Sequence, residues 1–107
     1  MSFTVIERLS VPSDLSSVSI VEAMIDRVCG SLGVHEDAYG NILIAVTEAV
    51  NNAVIHGNCF NTSLDVNVEV LDLVERLCFV ISDHGKGFDF MHLPDLTATE
   101  NIEKENG

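Results

Sequence analysis

The chain has 107 residues, enough for one small domain, and its 5 Lys and Arg against 17 Asp and Glu give a net charge of −12 with neutral histidines. Such a charge disfavours nucleic-acid backbones, which bind through phosphate neutralisation, and anionic membrane surfaces. Hydrophobic residues make up 47% of the chain, and no apolar run approaches the roughly 18 residues of a membrane span. Residues 1–8 lack the features of a secretory signal, so we expect a soluble, cytoplasmic domain.

The three cysteines, Cys29, Cys59 and Cys78, are odd in number and far apart. A disulfide framework needs an even number, and a zinc site needs close pairs. The four histidines show no metal-binding spacing either. We therefore expect reduced, mostly buried thiols and no metal site built from protein ligands alone.

The first third of the chain contains a strand and a helix. Apolar residues of one parity predict a strand that ends at Pro12: Phe3, Val5, Leu9 and Val11. From Leu15 to Leu32 apolar residues recur three or four positions apart, which predicts an amphipathic helix. Gly30 and Gly33 mark its end.

A second helix is predicted from about residue 36 to residue 56, beginning with an acidic pair that suits a helix N-terminus. Gly40 in its interior should cost about 1 kcal/mol relative to alanine, so packing must hold the helix. Gly57 is the predicted C-cap, and residues 58–63 form a polar loop.

A β-hairpin follows the second helix. Residues 64–71 alternate between apolar and polar side chains, as in a half-buried strand, and the apolar run 77–81 is its predicted antiparallel partner. A glycine-rich turn then spans residues 82–88, and after Phe90 the periodicity fades into a polar, acidic segment.

Two groups of polar residues are candidates for chemistry. Glu48, Asn52 and His56 are spaced by four on the second helix, with Asn51 beside them. Most such rows are solvated helix faces, but consecutive asparagines are unfavourable inside a helix and call for another reason. An asparagine carbonyl suits Mg²⁺, and a glutamate one turn earlier suits the activation of a hydroxyl group.

The second group is the turn that begins with Asp83. By itself it is typical of an ordinary tight turn, and Gly87 after Lys86 excludes a P-loop. However, an acid at the end of a strand, beside glycines that allow close approach, can accept a hydrogen bond from a ligand amino group.

Together, the two groups resemble the motifs of one superfamily. The stretch Glu-Ala-Val-Asn-Asn-Ala-Val-Ile-His-Gly, residues 48–57, resembles the N box of GHKL (Bergerat-fold) ATPases, and Asp-His-Gly-Lys-Gly-Phe, residues 83–88, is similar to their G1 box. The residues of the N box are similar to those of anti-sigma-factor serine/threonine-protein kinases rather than to those of sensor histidine kinases. This resemblance implies an α/β (α+β) two-layer sandwich with a mixed, mostly antiparallel sheet and helices on one face.

The resemblance also implies roles for individual residues. Asn52 would coordinate Mg²⁺, Glu48 would be the general base, and Asp83 would bind the adenine amino group. Gly85 and Gly87 would shape the rim of the pocket. Two further candidates are His56, which either helps to position the nucleotide or caps the helix, and Lys86, which would contact phosphate.

The C-terminal part departs from the superfamily pattern. By the resemblance, residues from about 89 to 107 form the ATP lid of a single domain, 1–107, and the chain stops at Gly107, before the second glycine box. We expect the domain to be cut short there, which bears on whether ATP is bound productively.

The function implied by the resemblance is that of an ATP- and Mg²⁺-dependent kinase that phosphorylates an anti-sigma-factor antagonist and sequesters a sigma factor. These two proteins are the expected partners, and homodimer formation stays open. The alternative is a non-catalytic binding module of the same fold. Glu48 favours the enzyme, whereas the missing second glycine box favours the module.

Overall fold

The computed structural model describes residues 3–74, 76–84, 88–93 and 103–106. The elements in chain order are β1 (Thr4–Pro12), a 3₁₀ turn (Leu15–Ser17), α1 (Val18–Leu32), α2 (Glu36–Asn52), a π-helical turn (Ala53–Gly57), β2 (Asp65–Asp72), β3 (Leu77–Ser82), β4 (Phe88–Leu93) and β5 (Glu103–Asn106). The five strands form one sheet in the order β1-β2-β3-β4-β5. The predicted two-layer α+β sandwich is confirmed.

Within the described residues every strand pairing is antiparallel. A mixed, mostly antiparallel sheet was expected, but none of these pairings is parallel. For β2 and β3 the connection explains the direction. Parallel neighbours need a crossover of about a dozen residues or more, whereas only residues 73–76 join β2 to β3. The predicted hairpin of these two strands is confirmed, with Val68 opposite Ile81 and Val70 opposite Phe79.

The hydrophobic core lies on one face of the sheet. Val66, Val68 and Val70 of β2 are fully buried, whereas the residues between them face the other side. One cluster of buried side chains joins these valines to α1 and α2, so both helices cover the same face. The opposite face carries polar pairs such as Arg8 with Glu69.

A bulge in β1 changes which residues face the core. Val5 lies opposite Leu71 and Glu7 opposite Val70, so Ile6 is an extra residue in the strand. The extra residue reverses the alternation, and the predicted common face of Phe3, Val5, Leu9 and Val11 is therefore wrong at its first two members. Ile6 and Leu9 pack against the core, and Phe3 is exposed.

The helices differ from the prediction at their ends. The chain turns through the 3₁₀ turn before α1 begins at Val18, with Ser16 N–H donating to the Asp14 side chain. The second helix is α-helical only to Asn52, and the π-helical turn occupies the remainder of its predicted length. Neither α-helix, nor any other helix in the described ranges, is long and apolar enough to cross a membrane.

Two strands that were not predicted, β4 and β5, overlap the polar, acidic segment that follows Phe90. The backbone of β4 pairs with β3, and that of β5 pairs with β4. Residues 94–102 between them lie outside the described residues. The lid assignment for residues 89–107 stays a prediction.

The cysteines are free thiols, as predicted. Cys29 and Cys78 are buried, whereas Cys59, just after the π-helical turn, is exposed. The two buried thiols behave as small hydrophobic residues.

Candidate nucleotide site

The polar row of α2 lies at the margin of the core. Glu48 is exposed, and Asn52, one turn later, is half-buried. Val46, Ala49 and Val50 on the adjoining face are buried in the cluster beneath the helix. Packing of this apolar face thus holds the Glu48–Asn52 row in a fixed orientation.

His56 lies within the π-helical turn that follows α2. Asn58 N–H donates to the Ala53 carbonyl at 2.8 Å, a bond across five residues that makes the turn wider than an α-helical one. The α-helix predicted to reach residue 56 therefore ends at Asn52, and His56 lies on a π-helical turn. His56 is exposed, and its part in nucleotide positioning stays a prediction.

The Asp83 carboxylate lies directly against Gly57. A Cβ atom on Gly57 would be 2.1 Å from Asp83 Oδ2 and 2.3 Å from Cγ, far inside the closest contact that real Cβ atoms make. The prediction that Gly57 is the C-cap of this helix is wrong, because Gly57 is the last residue of the π-helical turn and Asn58 is its cap. Among the described glycines only Gly33 has a positive φ. Gly57 is needed for room, since the carboxylate occupies the place of a side chain.

Two of the three main candidates lie on α2, and the third lies beside the π-helical turn that follows it. Asp83 lies at Gly57, and Asn52 and Glu48 come successively earlier on the helix. At about 1.5 Å per residue, the stretch from Glu48 to Gly57 measures roughly 13 Å. A ligand of about this length is needed to contact both Asp83 and Glu48.

Asn58 was predicted only as part of a polar loop, yet it is 3% exposed. Its Nδ2 donates to Ser13 Oγ at 2.8 Å and to the Asp65 carbonyl at 3.1 Å, and its Oδ1 accepts from His84 N–H at 2.8 Å. It thus links the ends of three strands. No local pattern distinguishes it from the other loop asparagines, because Ser13 and His84 are 45 and 26 residues away in the sequence.

Two arginines of the described residues form ion pairs within the fold. Arg8 pairs with Glu69 at 2.8 Å on the exposed face of the sheet, and Arg27 of α1 pairs with Glu7 of β1. These arginines are therefore engaged elsewhere in the fold.

The donors on α2 fit a magnesium ion of the kind that a nucleotide brings with it. Within the described ranges no group of three or more His, Cys, Asp or Glu side chains could hold a metal ion. Mg²⁺ at phosphate sites takes only one or two protein oxygens and keeps water and phosphate as its other ligands. The half-buried Asn52 carbonyl is such a donor.

Three predicted site residues, Gly85, Lys86 and Gly87, lie outside the described residues. Their roles at the rim of the pocket and at phosphate stay predictions. His84, which precedes them, is held through its backbone N–H by Asn58.

A cavity of about 260 Å³ lies elsewhere, between the end of α1 and the start of α2. It is lined by Asp26, Cys29, Gly30, Val34, Glu36 and Tyr39. Glu36 and Tyr39 lie in the first turn of α2, whereas Gly57 lies beyond its last residue, so most of the helix separates the cavity from Gly57. It is a separate feature from the row that ends at Asp83.

A family model described as a histidine kinase-like ATPase domain matches residues 11–107. The match includes both helices, Glu48, Asn52 and Asp83. The chain belongs to the histidine kinase-like ATPase domain family. The resemblance to GHKL ATPases that the N and G1 boxes indicated is confirmed.

Serine-protein kinases named RsbW are similar to the chain. The protein of Staphylococcus epidermidis is 32% identical over 102 residues, which cover 89% of this chain and 63% of that kinase. The protein of Staphylococcus aureus strain Newman is 32% identical over 83 residues, covering 77% and 52%. The chain therefore spans less than two thirds of the length of these relatives.

Proposed function

We propose that the chain is the ATP-binding domain of an anti-sigma-factor-type serine/threonine kinase. It phosphorylates an anti-sigma-factor antagonist, and it sequesters a sigma factor when the antagonist is phosphorylated. The observation that carries the proposal is the seating of the Asp83 carboxylate against the end of the helix that bears Glu48 and Asn52. The similarity to RsbW serine-protein kinases supports the same function.

Asp83 recognises the adenine base. An ionised carboxylate is an acceptor only, and the N6 amino group of adenine is a donor. Guanine has a carbonyl oxygen at the equivalent ring position, which would set acceptor against acceptor and leave a polar group without a partner. The site therefore prefers adenine nucleotides.

Asn52 and Glu48 act at the phosphate end. The Asn52 carbonyl would hold Mg²⁺, which neutralises charge on the phosphates when it is bound. Glu48, one turn earlier and exposed, accepts the proton of the serine or threonine hydroxyl of the antagonist. Its exposure is needed for this role, because the hydroxyl belongs to a second protein.

The decisive experiment combines nucleotide binding with phosphoryl transfer. ADP and GDP are titrated against wild type and Asp83→Asn, and transfer from γ-labelled ATP to a candidate antagonist is followed in parallel. Wild type should prefer ADP by about tenfold or more, and Asp83→Asn should reduce this preference, because an amide can donate to the guanine oxygen. An undiminished preference in the variant would remove Asp83 from the base site.

Two further results separate the kinase from a binding module. Asn52→Ala should abolish the Mg²⁺-dependent part of ATP affinity while the fold persists, because its half-buried amide lies at the margin of the core. The non-catalytic module would instead bind a partner without labelling it, whatever residue stands at position 52. Absence of transfer from wild type to every antagonist tried, together with tight binding of a sigma factor, would favour that module.

A further inference from the structure

The position of the Asp83 carboxylate depends on the absence of a side chain at residue 57. The nearest approach of a Cβ there would be 2.1 Å to Oδ2, 2.3 Å to Cγ and 2.7 Å to Oδ1. All three carboxylate atoms thus crowd the same point on the π-helical turn. Any residue larger than glycine must therefore displace the carboxylate from its place beside the π-helical turn.

A second constraint acts on the backbone that follows Asp83. Asn58 Oδ1 accepts a 2.8 Å hydrogen bond from His84 N–H, which belongs to the peptide unit that joins Asp83 to His84. This bond fixes the plane of that peptide unit. It therefore sets the direction in which the chain leaves β3 and the direction in which the Asp83 side chain points.

Asn58 is itself held in place by the rest of the fold. Its side-chain Nδ2 donates to Ser13 Oγ, just after β1, and to the Asp65 carbonyl at the start of β2. Its backbone N–H donates to the Ala53 carbonyl. Ser13 Oγ in turn donates to the Leu64 carbonyl at 2.5 Å. Asn58 thus connects the end of β1 and the start of β2 to the peptide unit that follows Asp83, so the placement of these two strands fixes that unit.

We infer that Gly57 and Asn58 are positioning residues for base recognition: Gly57 provides the room, and Asn58 aims the carboxylate. The inference rests on the proposed function, since it assigns these residues a task in adenine selectivity. Neither residue touches the nucleotide in this role. Both act through Asp83.

A purely structural role for Asn58 makes a different prediction. Loss of a buried, fully bonded amide leaves partners unsatisfied and lowers stability whatever it does for Asp83. Stability therefore cannot distinguish the two roles. The distinguishing quantity is the ratio of ADP to GDP affinity, measured where each variant is fully folded.

The test compares Asn58→Ala with Ser13→Ala. Ser13→Ala weakens the same buried cluster but leaves the bond to His84 N–H, so it is the matched control. We expect Asn58→Ala to lose about tenfold in ADP affinity and most of the ADP preference, whereas Ser13→Ala keeps both. Equal preference in the two variants would overturn the role of Asn58.

Gly57→Ala tests the other half of the inference and serves if Asn58→Ala fails to fold. Its matched control is Gly40→Ala in α2, where a Cβ would meet nothing within 4 Å. Gly57→Ala should lower ADP affinity by about tenfold or more and remove the preference, because it displaces a group that must be placed accurately. A preference equal to that of Gly40→Ala would overturn the role of Gly57.

A measurement without nucleotide separates this inference from the proposed function. Hydrogen exchange of the His84 amide, followed by NMR, should accelerate at least tenfold in Asn58→Ala and stay slow in Ser13→Ala. Unchanged exchange in Asn58→Ala would overturn the aiming contact even where ADP binds. Slow exchange in wild type that is lost in Asn58→Ala would support the contact even if wild type binds no adenine nucleotide, a result that would refute the proposed function alone.

Discussion

The two helices have similar lengths, 15 residues in α1 and 17 in α2, and a glycine follows each of them for a different reason. Gly33 ends α1 with a φ of +67°, and its N–H bonds the Cys29 and Gly30 carbonyls, as left-handed caps do. Gly57 ends the π-helical turn after α2 without a positive φ and leaves room for the Asp83 carboxylate. Gly33 allows the backbone turn that ends its own helix, whereas Gly57 leaves room for the residue that follows β3.

The polar residues of the helices differ in the same way. Charged groups of α1 bond neighbouring parts of the fold, as Arg27 does with Glu7 and Asp26 with Tyr39. The row of α2 leads instead to the end of β3, where Asp83 lies. We conclude that α1 stabilises the sandwich and that α2 carries the candidate site, and paired changes in the two helices test this division.

The largest expected effect is that of Glu48→Gln on phosphoryl transfer. The change keeps shape and hydrogen bonding but removes basicity, so transfer should fall by roughly 10²–10⁴ while nucleotide affinity persists. The matched control is Glu22→Gln, an exposed glutamate of α1, which should leave transfer unchanged. The measurement is single-turnover transfer from γ-labelled ATP; equal rates in both variants would make Glu48 an ordinary surface residue.

The next largest effect concerns stability and should come from α1. Ile25 is fully buried, so Ile25→Ala should lower the free energy of unfolding by about 2–5 kcal/mol. Ile20, on the same helix and 49% exposed, is the control, and Ile20→Ala should change it by about 0.5 kcal/mol or less. Urea unfolding measures both, and a small loss in Ile25→Ala would contradict the assignment of α1 to the core.

These pairs also show which parts of the structure could be predicted from the sequence. The helical stripe through Ile25 and the alternation through Val66 and Val68 depend on neighbours in the chain, and both were predicted correctly. Glu48, Asn52 and Asp83 could be selected because their residue types are unusual at these positions and resemble family motifs. Local pattern and resemblance together therefore identified the helix and the strand end that form the candidate site.

The features that were missed depend on distant contacts. The bulge at Ile6 changes only one residue, and no local signal marks it. The π-helical turn and the burial of Asn58 arise because residue 58 bonds Ser13, Asp65 and His84, which are far apart in sequence. The real reason for Gly57 likewise lies 26 residues away, at Asp83.

A third prediction compares the thiol inside α1 with the thiol that follows the π-helical turn. Burial, with a smaller contribution from Asp26, raises the pKa of Cys29 from 9.0 to about 11, whereas Cys59 is exposed. In the folded protein at pH 8, iodoacetamide should therefore modify Cys59 and spare Cys29, because only the thiolate reacts. Peptide mass spectrometry reads out both sites, and equal labelling would mean that α1 opens readily.

The raised pKa also predicts how stability changes with pH. The folded state holds the Cys29 proton more tightly than the unfolded state. The contribution of the protonated thiol to the free energy of unfolding is therefore complete below pH 9 and is lost as the pH rises towards 11. The stability difference between wild type and Cys29→Ala should therefore shrink over that interval. A difference that stays constant from pH 8 to pH 11 would contradict the shift.

The smallest predicted effect is a gain in stability from Gly40→Ala in α2. Gly40 lies inside the helix without a positive φ, and a Cβ there would meet nothing within 4 Å. Alanine should therefore add up to about 1 kcal/mol, because it restricts the unfolded chain and favours the helix without a clash. Gly33→Ala is the control with the opposite sign, since alanine at a φ of +67° is strained and should cost about 1–2 kcal/mol. Thermal melts of the two variants against wild type measure both shifts. A loss of stability in Gly40→Ala would show that the start of α2 is held by contacts other than those of a regular helix. Gly40 would then be a third kind of glycine, needed neither for a positive φ, as Gly33 is, nor for room beside a carboxylate, as Gly57 is.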